Sequence, residues 1–405
     1  FFFVNFQLKA HMNPELTIIL QNKLGGVATF YKNLLATDHK DKFDINLIYV
    51  TDQSTDARLK RPLGVGTEFH LKINAEAGKW RNARQLSRLI SSKQGVVLVN
   101  HPIELLALTL YPKPNKTVIF LCHDIEYLQW GIEYQSVIDQ FIAHNSHVFD
   151  QLRLLLPNRK RRIHLLRFGI PLPLRQKKIV NEKLKIIFLA RLHKRKGVYD
   201  LLHVDEHLQE SGVHVDWSVL GDGPEREQFL STIRDKGNFH WQSPTTTQEC
   251  LQECRKGDVF LLPSRLDGTP LALLETMSLG LVPIVYEFCP GIHTIISEDL
   301  GYVIPVGNTK KAADCIMRLN SNRSELSLMG DKASSHIASN FKLEERNDAY
   351  FSIIEKQIGA NQKKIIQRPT LTNRLDHPSI PLTLAIVLRK IKKALIRLRK
   401  KLQQQ

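Results

Sequence analysis

Long apolar runs are missing from these 405 residues. None reaches the ~18 consecutive apolar residues that a membrane-spanning helix needs, so no spanning helix is expected. Cysteine is scarce as well, with Cys122, Cys250, Cys254, Cys289 and Cys315 scattered along the chain. Cys250 and Cys254 lie four apart, with no second pair at metal-ligand spacing, which argues against a zinc site and a disulfide framework. Reduced thiols in a cytosolic protein are the expected state. The stretch FFFVNFQLKA lacks both a basic start and a small-residue cleavage site, so it reads poorly as a signal peptide. Because residue 1 is Phe, the start of translation is expected at Met12 or upstream of Phe1. There is no internal repeat and no low-complexity tract, which excludes solenoids and disordered arrays.

Acidic residues are nearly absent at one end. From Asn361 to Gln405 there are twelve Lys and Arg against a single Asp, so this tail holds +11 of the formal +17. The basicity therefore belongs mostly to a tail and gives weak support to a nucleic-acid partner. Leu384, Leu388, Ile391, Leu395, Leu398 and Leu402 fall at helical spacing, and eight Lys/Arg lie between Arg389 and Lys401 without an acid. A narrow apolar stripe under a dense cationic face is the pattern of a helix lying on an anionic membrane surface. A partner helix and a solvated helix are the alternatives. A second basic run, with Arg153, Arg159, Lys160, Arg161, Arg162 and Arg167, reads first as solvated surface and second as a patch for an anionic membrane or lipid phosphate.

What the chain has in abundance is the alternation of apolar strands with amphipathic helices. LTIIL at 16–20 leads through Gly25 and Gly26 into a helical segment at 27–35. Strand, glycine turn, helix opens a doubly wound sheet. Further strands are expected at 45–50, 96–100, 117–122 and 140–146, the third running into His123 and Asp124. A polar break at about 172–183 reads as a linker. The apolar run LKIIFLA at 184–190 then begins a second set, with strands expected at 213–220, 238–242, 259–262, 281–286 and 301–304 and closing helices at 310–319 and 344–358. The pattern predicts an α/β protein with two Rossmann-like doubly wound domains facing a cleft, at 1–175 and 176–345, a helix at 346–360 and a basic tail at 361–405.

The stretch that organises the second set is LPSRLDGTPLALLETMSLG, residues 262–280. A sharp turn at Asp267 and Gly268 precedes a helix with Pro270 near its first position. A helix start offers free backbone N–H groups and the positive end of the macrodipole, and Gly268, Thr269 and Leu271 lie where a phosphate would meet them. Asp267 and Glu275 stand eight residues apart, one in the loop and one about two turns into the helix. Arg191 and Lys196, in the RLHKRKG loop, are basic side chains suited to a diphosphate.

An acid, seven residues and a Glu, between a strand ending in Pro-Ser and a helix continuing Leu-Leu-Glu-x-Met-x-x-Gly, resembles the signature of the retaining glycosyltransferases of family 4, also called group 1, with the GT-B fold. Where that family usually has Glu, this chain has Asp267. The resemblance covers about residues 14–358. It implies transfer of a sugar from a UDP- or GDP-sugar to a glycan or lipid-linked acceptor, with retention and without a metal or other cofactor. Glu275 would then accept the ribose hydroxyls. Asp267 would hold a sugar hydroxyl with His123 nearby, and Arg191 and Lys196 would meet the diphosphate. It also implies that the loop at Gly25 and Gly26 faces the donor phosphate and acceptor, that Cys289–Gly291 lies near the sugar, and that the last helix crosses back to the first domain. A place on the inner face of a membrane, in polysaccharide or envelope glycan assembly, is the expected setting. A nucleotide-sugar epimerase on the same fold and a non-catalytic nucleotide-sugar-binding protein are the alternatives.

Overall fold

The computed structural model describes residues 13–23, 25–51, 63–74, 77–173, 182–244 and 246–359, together with positions 366, 384, 387, 388 and 391. The stretch FFFVNFQLKA, most of the linker and Leu395, Leu398 and Leu402 of the tail stripe lie outside the described residues.

The first sheet contains β1 (Glu15–Gln21), β2 (Asp44–Thr51), β3 (Thr67–Lys72), β4 (Gly95–Val99), β5 (Lys116–Cys122), β6 (Gln140–Ala143) and β7 (Ile163–Leu165). The second contains β8 (Lys185–Leu189), β9 (Asp216–Leu220), β10 (Phe239–Gln242), β11 (Val259–Leu262), β12 (Val282–Tyr286) and β13 (Tyr302–Ile304). Their orders are β3-β2-β1-β4-β5-β6-β7 and β10-β9-β8-β11-β12-β13, and every pairing is parallel. Parallel strands covered by helices on both faces need apolar side chains on both, and β4, β5, β11 and β12 are buried at every position. Each sheet reverses its order once, between β1 and β4 and between β8 and β11. The crevice at such a reversal, beyond the carboxyl ends of the strands, is where doubly wound sheets bind ligands.

The helices of the first unit are α1 (Gly26–Leu34), α2 (Lys79–Leu89), α3 (Pro102–Leu110), α4 (Leu128–Glu133) and α5 (Ser146–Leu155). The second unit adds α6 (Asp200–Glu210), α7 (Arg226–Ile233), α8 (Thr247–Cys254), α9 (Leu271–Ser278), α10 (Thr309–Ser321) and α11 (Arg323–Asn340). The strand expected at 140–146 stops at Ala143, because Asn145 turns to cap α5 by accepting from the Val148 N–H at 2.9 Å. Pro270 sits at the N-cap of α9 rather than at its first helical position. The edge strand β3, the short β7 and the helix α11 were not expected from the sequence.

A final helix, α12 (Leu343–Lys356), lies against the first unit. The buried Asn347 donates from Nδ2 to the Asn33 and Leu34 carbonyls at 2.9 and 3.2 Å, closing the carbonyl end of α1. Tyr350 donates to the Leu166 carbonyl at 3.0 Å, and Lys42 pairs with Glu355 at 2.9 Å. One apolar cluster runs through both units, joining Leu16, Phe30 and Ile142 to Leu262, Met277, Phe341 and Tyr350. At the far end of the first sheet, the buried Glu15 accepts from Lys116 Nζ and Ser91 Oγ, each at 2.5 Å, and ties β1 to β5 away from the crevice.

Replacing Asn347 by Ala leaves two buried carbonyls without their donor and should destabilise the fold by about 1–3 kcal/mol. Urea unfolding checks this, with Asp348→Ala, whose side chain is 65% exposed, expected to change the midpoint little.

Candidate functional site

Four loops meet the two reversals of strand order, and they carry most of the residues singled out above. In the first unit, the loop after β1 ends at Gly25 and Gly26. Gly25 has φ +149°, a conformation that side-chain-bearing residues avoid, and α1 then begins with no side-chain cap and no acid in its first turn. A Cβ on either glycine would meet nothing within 4 Å, so the start of α1 is open. Its uncapped N–H groups favour an anion.

In the second unit, the loop after β8 holds Arg191 and Lys196, and the loop after β11 holds Asp267, Gly268 and Thr269. Lys196 Nζ donates to Asp267 Oδ2 in a short charge-assisted contact. An ammonium has three N–H donors, so two remain for other oxygens. The two loops are also joined by the Arg265 N–H, which donates to the Arg195 carbonyl at 2.8 Å. Behind them Arg265 clasps both carboxylate oxygens of Asp200 at 3.0 and 3.1 Å, and the Tyr286 hydroxyl donates to Asp200 at 2.7 Å. Arg191 is exposed at the mouth of its loop.

The helix α9 starts without a side-chain cap, and Leu271 at its start is buried. Glu275 follows one turn on. Burial raises its carboxyl from the usual range to about 7, with Lys32 of α1 pulling the other way. Cys250 of α8 is close enough to Glu275 for the carboxylate to help burial push the thiol up to about 11.

The turn at Gly268 has no room for a side chain. A Cβ there would stand 2.3 Å from the His123 carbonyl oxygen, so the close approach at Gly268 is made by the first unit's own backbone. The neighbouring Thr269 hydroxyl donates to the His144 carbonyl at 3.3 Å. The His123 ring is 6% exposed and packs among Phe30, Tyr127, His144 and Phe168. Burial lowers it to about 3, and burial with His123 alongside holds His144 well below the usual imidazole range, so both rings are neutral near pH 7. Their Nδ1 atoms are 2.9 Å apart, so one ring donates and the other accepts. One Nε2 is then an N–H donor and the other a bare acceptor, and both lack a partner among the described residues.

Between the units, a cavity of about 240 Å³ is lined by Asp267, Asn145, His147, Phe288, Cys289 and Pro290. Lys196, Asp267 and the α9 start thus lie together, and Glu275 is one turn deeper. His123 touches this group through its backbone. Sequence reading missed Lys32, Asp200, Arg265 and Tyr286, whose roles depend on partners distant in sequence, such as Asp200 for Tyr286, 86 positions away. Among the described residues no three His, Cys, Asp or Glu side chains are grouped to hold a metal ion.

The family described as Glycosyl transferases group 1 matches residues 173–336. The chain is 24% identical over 221 residues to the amylovoran biosynthesis glycosyltransferase AmsK of Erwinia amylovora, covering 48% of this chain and 54% of that protein. It is 25% identical over 185 residues to the putative colanic acid biosynthesis glycosyltransferase WcaL of Escherichia coli, covering 42% and 45%. The chain spans about half the length of the curated relatives it matches. Among solved structures, HepE from Anabaena in complex with UDP-glucose superposes with a TM-score of 0.69 at 11% identity, over 84% of this chain and 99% of that one. The lipopolysaccharide outer core galactosyltransferase WaaB superposes at 0.60 and 18% identity, over 84% and 99%. The resemblance to group 1 glycosyltransferases is therefore found by sequence in the second unit, and the fold of both units is that of GT-B glycosyltransferases.

Because the Glu275 carboxyl is held above its unfolded value, its contribution is fully present at low pH and is lost as pH rises through about 7. Glu275→Gln mimics the protonated form at every pH. The variant should exceed the parent in stability by about 1 kcal/mol at pH 5 and by up to about 3 at pH 8, measured by urea unfolding at both.

Proposed function

We propose that this protein is a retaining, metal-independent glycosyltransferase. It moves a sugar from a UDP- or GDP-sugar to a glycan or lipid-linked acceptor, in polysaccharide or envelope glycan assembly at the inner face of a membrane. The observation that carries the reading is the convergence of Lys196, Asp267 and the uncapped start of α9 at the reversal of the second sheet, with Glu275 one turn further in. The named relatives in amylovoran and colanic acid biosynthesis and the neighbour in complex with UDP-glucose support it.

Breaking a glycosidic bond to a nucleoside diphosphate leaves negative charge on the departing phosphate. Catalysis then rests on positive charge and oriented N–H groups aimed at that charge. Lys196, with two N–H donors beyond its contact to Asp267, and Arg191 supply the cations. The first amides of α9 supply the dipole. Glu275 takes the ribose hydroxyls, and Asp267 both orients Lys196 and holds a sugar hydroxyl in the cavity it lines. The acceptor attacks from the face the diphosphate vacates, which retains the anomeric configuration without a carboxylate nucleophile.

The reading also takes an anionic membrane as partner of residues 384–402. Leu384, Val387, Leu388 and Ile391 are 49, 51, 36 and 49% exposed, so this stripe is available to a surface.

UDP or GDP should raise the melting temperature of the protein equally with and without EDTA, and Lys196→Ala and Glu275→Ala should abolish the shift. The same variants should lower sugar transfer at least about 10²-fold, since each removes a charged contact at the reacting diphosphate or its ribose. Transfer within a few-fold of the parent in both variants, or an activity abolished by EDTA, would sink the proposal.

Removing residues 380–405 should move the protein from the membrane to the soluble fraction on cell fractionation. An unchanged distribution would remove the tail from the reading.

A further inference from the structure

The basic run at 153–162, whose second reading above is a patch for an anionic membrane, carries exposed apolar side chains that its charge pattern does not show. It covers the end of α5 and a 3-10 turn, Pro157–Arg162. The inner face of this end is fixed: Val148 and Leu152 are buried, Leu156 is 3% exposed, and Arg159 Nη1 donates to the Ile138 carbonyl at 3.1 Å. Outside it stand Leu154, 70% exposed, and Leu155, 46% exposed. Leu154 is the most exposed large apolar side chain among the described residues. Arg153, next to the pair in the chain, and Lys160 and Arg161, in the turn that follows, are exposed cations, and no acid occurs from Arg153 to Arg162. The acid on the same helix, Asp150, lies one turn earlier.

Two adjacent exposed leucines beside a run of cations gain nothing from water. They suit a surface that is negative at its face and apolar just beneath, which is the leaflet of an anionic bilayer. A nucleic acid would satisfy the cations and leave the leucines wet. We infer that Leu154, Leu155 and the exposed cations Arg153, Lys160 and Arg161 form a membrane-docking surface of the folded first unit, separate from the tail.

The position of α5 gives this surface a purpose, and for that purpose the inference rests on the lipid-linked acceptor proposed above. The other end of α5 is at the cleft: Asn145 caps the helix, and Asn145 and His147 line the cavity that contains Asp267. The helix has 10 residues, so its two ends are about 15 Å apart. A leaflet against Leu154 and Leu155 thus comes within about 15 Å of the cavity along the helix, a span that the carbohydrate head of a membrane-anchored acceptor crosses while its lipid stays in the bilayer.

Flotation of the full chain with vesicles of phosphatidylcholine alone, and with a minority of phosphatidylglycerol, tests this. The parent should float with the anionic vesicles, and raised salt should weaken the association. The variant Leu154→Ser with Leu155→Ser changes only exposed positions. It should melt like the parent and bind anionic vesicles about tenfold more weakly, while the tail still contributes. Arg153→Gln with Lys160→Gln and Arg161→Gln should lower the salt dependence in part, the tail's cations keeping the rest. Unchanged vesicle binding in the leucine variant overturns the inference, as does equal binding of the parent to neutral vesicles. A leucine variant that turns from dimer to monomer with vesicle binding intact would make this a self-association face and overturn it too. Transfer to a water-soluble acceptor reads the catalytic proposal separately, and the leucine variant should keep it.

Discussion

The contact on which the site depends is made by backbone. Gly268 lies against the His123 carbonyl, and Thr269 reaches the His144 carbonyl, so the turn that starts α9 is shaped against the first unit. Any side chain at residue 268 would push the two sheets apart at the place where their crevices face each other. The Lys196–Asp267 contact and the open start of α9 are set by the same turn. Phe30, Phe168 and Tyr350 pack around the two neutral imidazoles behind it, so the carbonyls that receive the turn sit on a closely packed base.

Electrostatics at the site is arranged in depth. At the surface stands the guanidinium of Arg191. Next comes Lys196, with its carboxylate partner Asp267, whose side chains are 27% and 17% exposed. Deepest is Glu275, whose carboxyl is poised near neutrality by burial. Asp200, clasped by Arg265 and touched by Tyr286, holds the loops in register while itself lying beneath them. Paired charge thus lies in the loops, and the one carboxyl shifted by burial lies on the helix behind them.

Much of the fold was legible in the sequence because parallel strands covered on both faces announce themselves as apolar runs. LKIIFLA and the run at 259–262 are the central strands β8 and β11. The elements that escaped notice lack that signal. Thr67–Lys72 is an edge strand with no buried position, and Ile163–Leu165 has three residues. The buried stripe of α11 includes Gly330 and Ala333, too small to mark a periodic face. In the site, helix starts and glycine turns were readable from residue type. The meaning of Gly268 was not, since it depends on a carbonyl 145 positions earlier, and neither were the burial of His123 and the pairing of Lys196 with an acid 71 positions away.

The path of the chain closes on itself at one point. It leaves the first unit after Ile170 and returns at Phe341, and these two points are hydrogen-bonded, the Ile170 N–H to the Phe341 carbonyl at 2.9 Å. Ile170 and Lys342 form a parallel bridge at the same place. The entire second unit is therefore inserted between two neighbouring points of the first. A segment whose ends meet can be exchanged for another of the same fold without redirecting the host, so recombination can place a new second unit on an existing first unit at a single seam. The match of the shared family to residues 173–336 falls inside that seam.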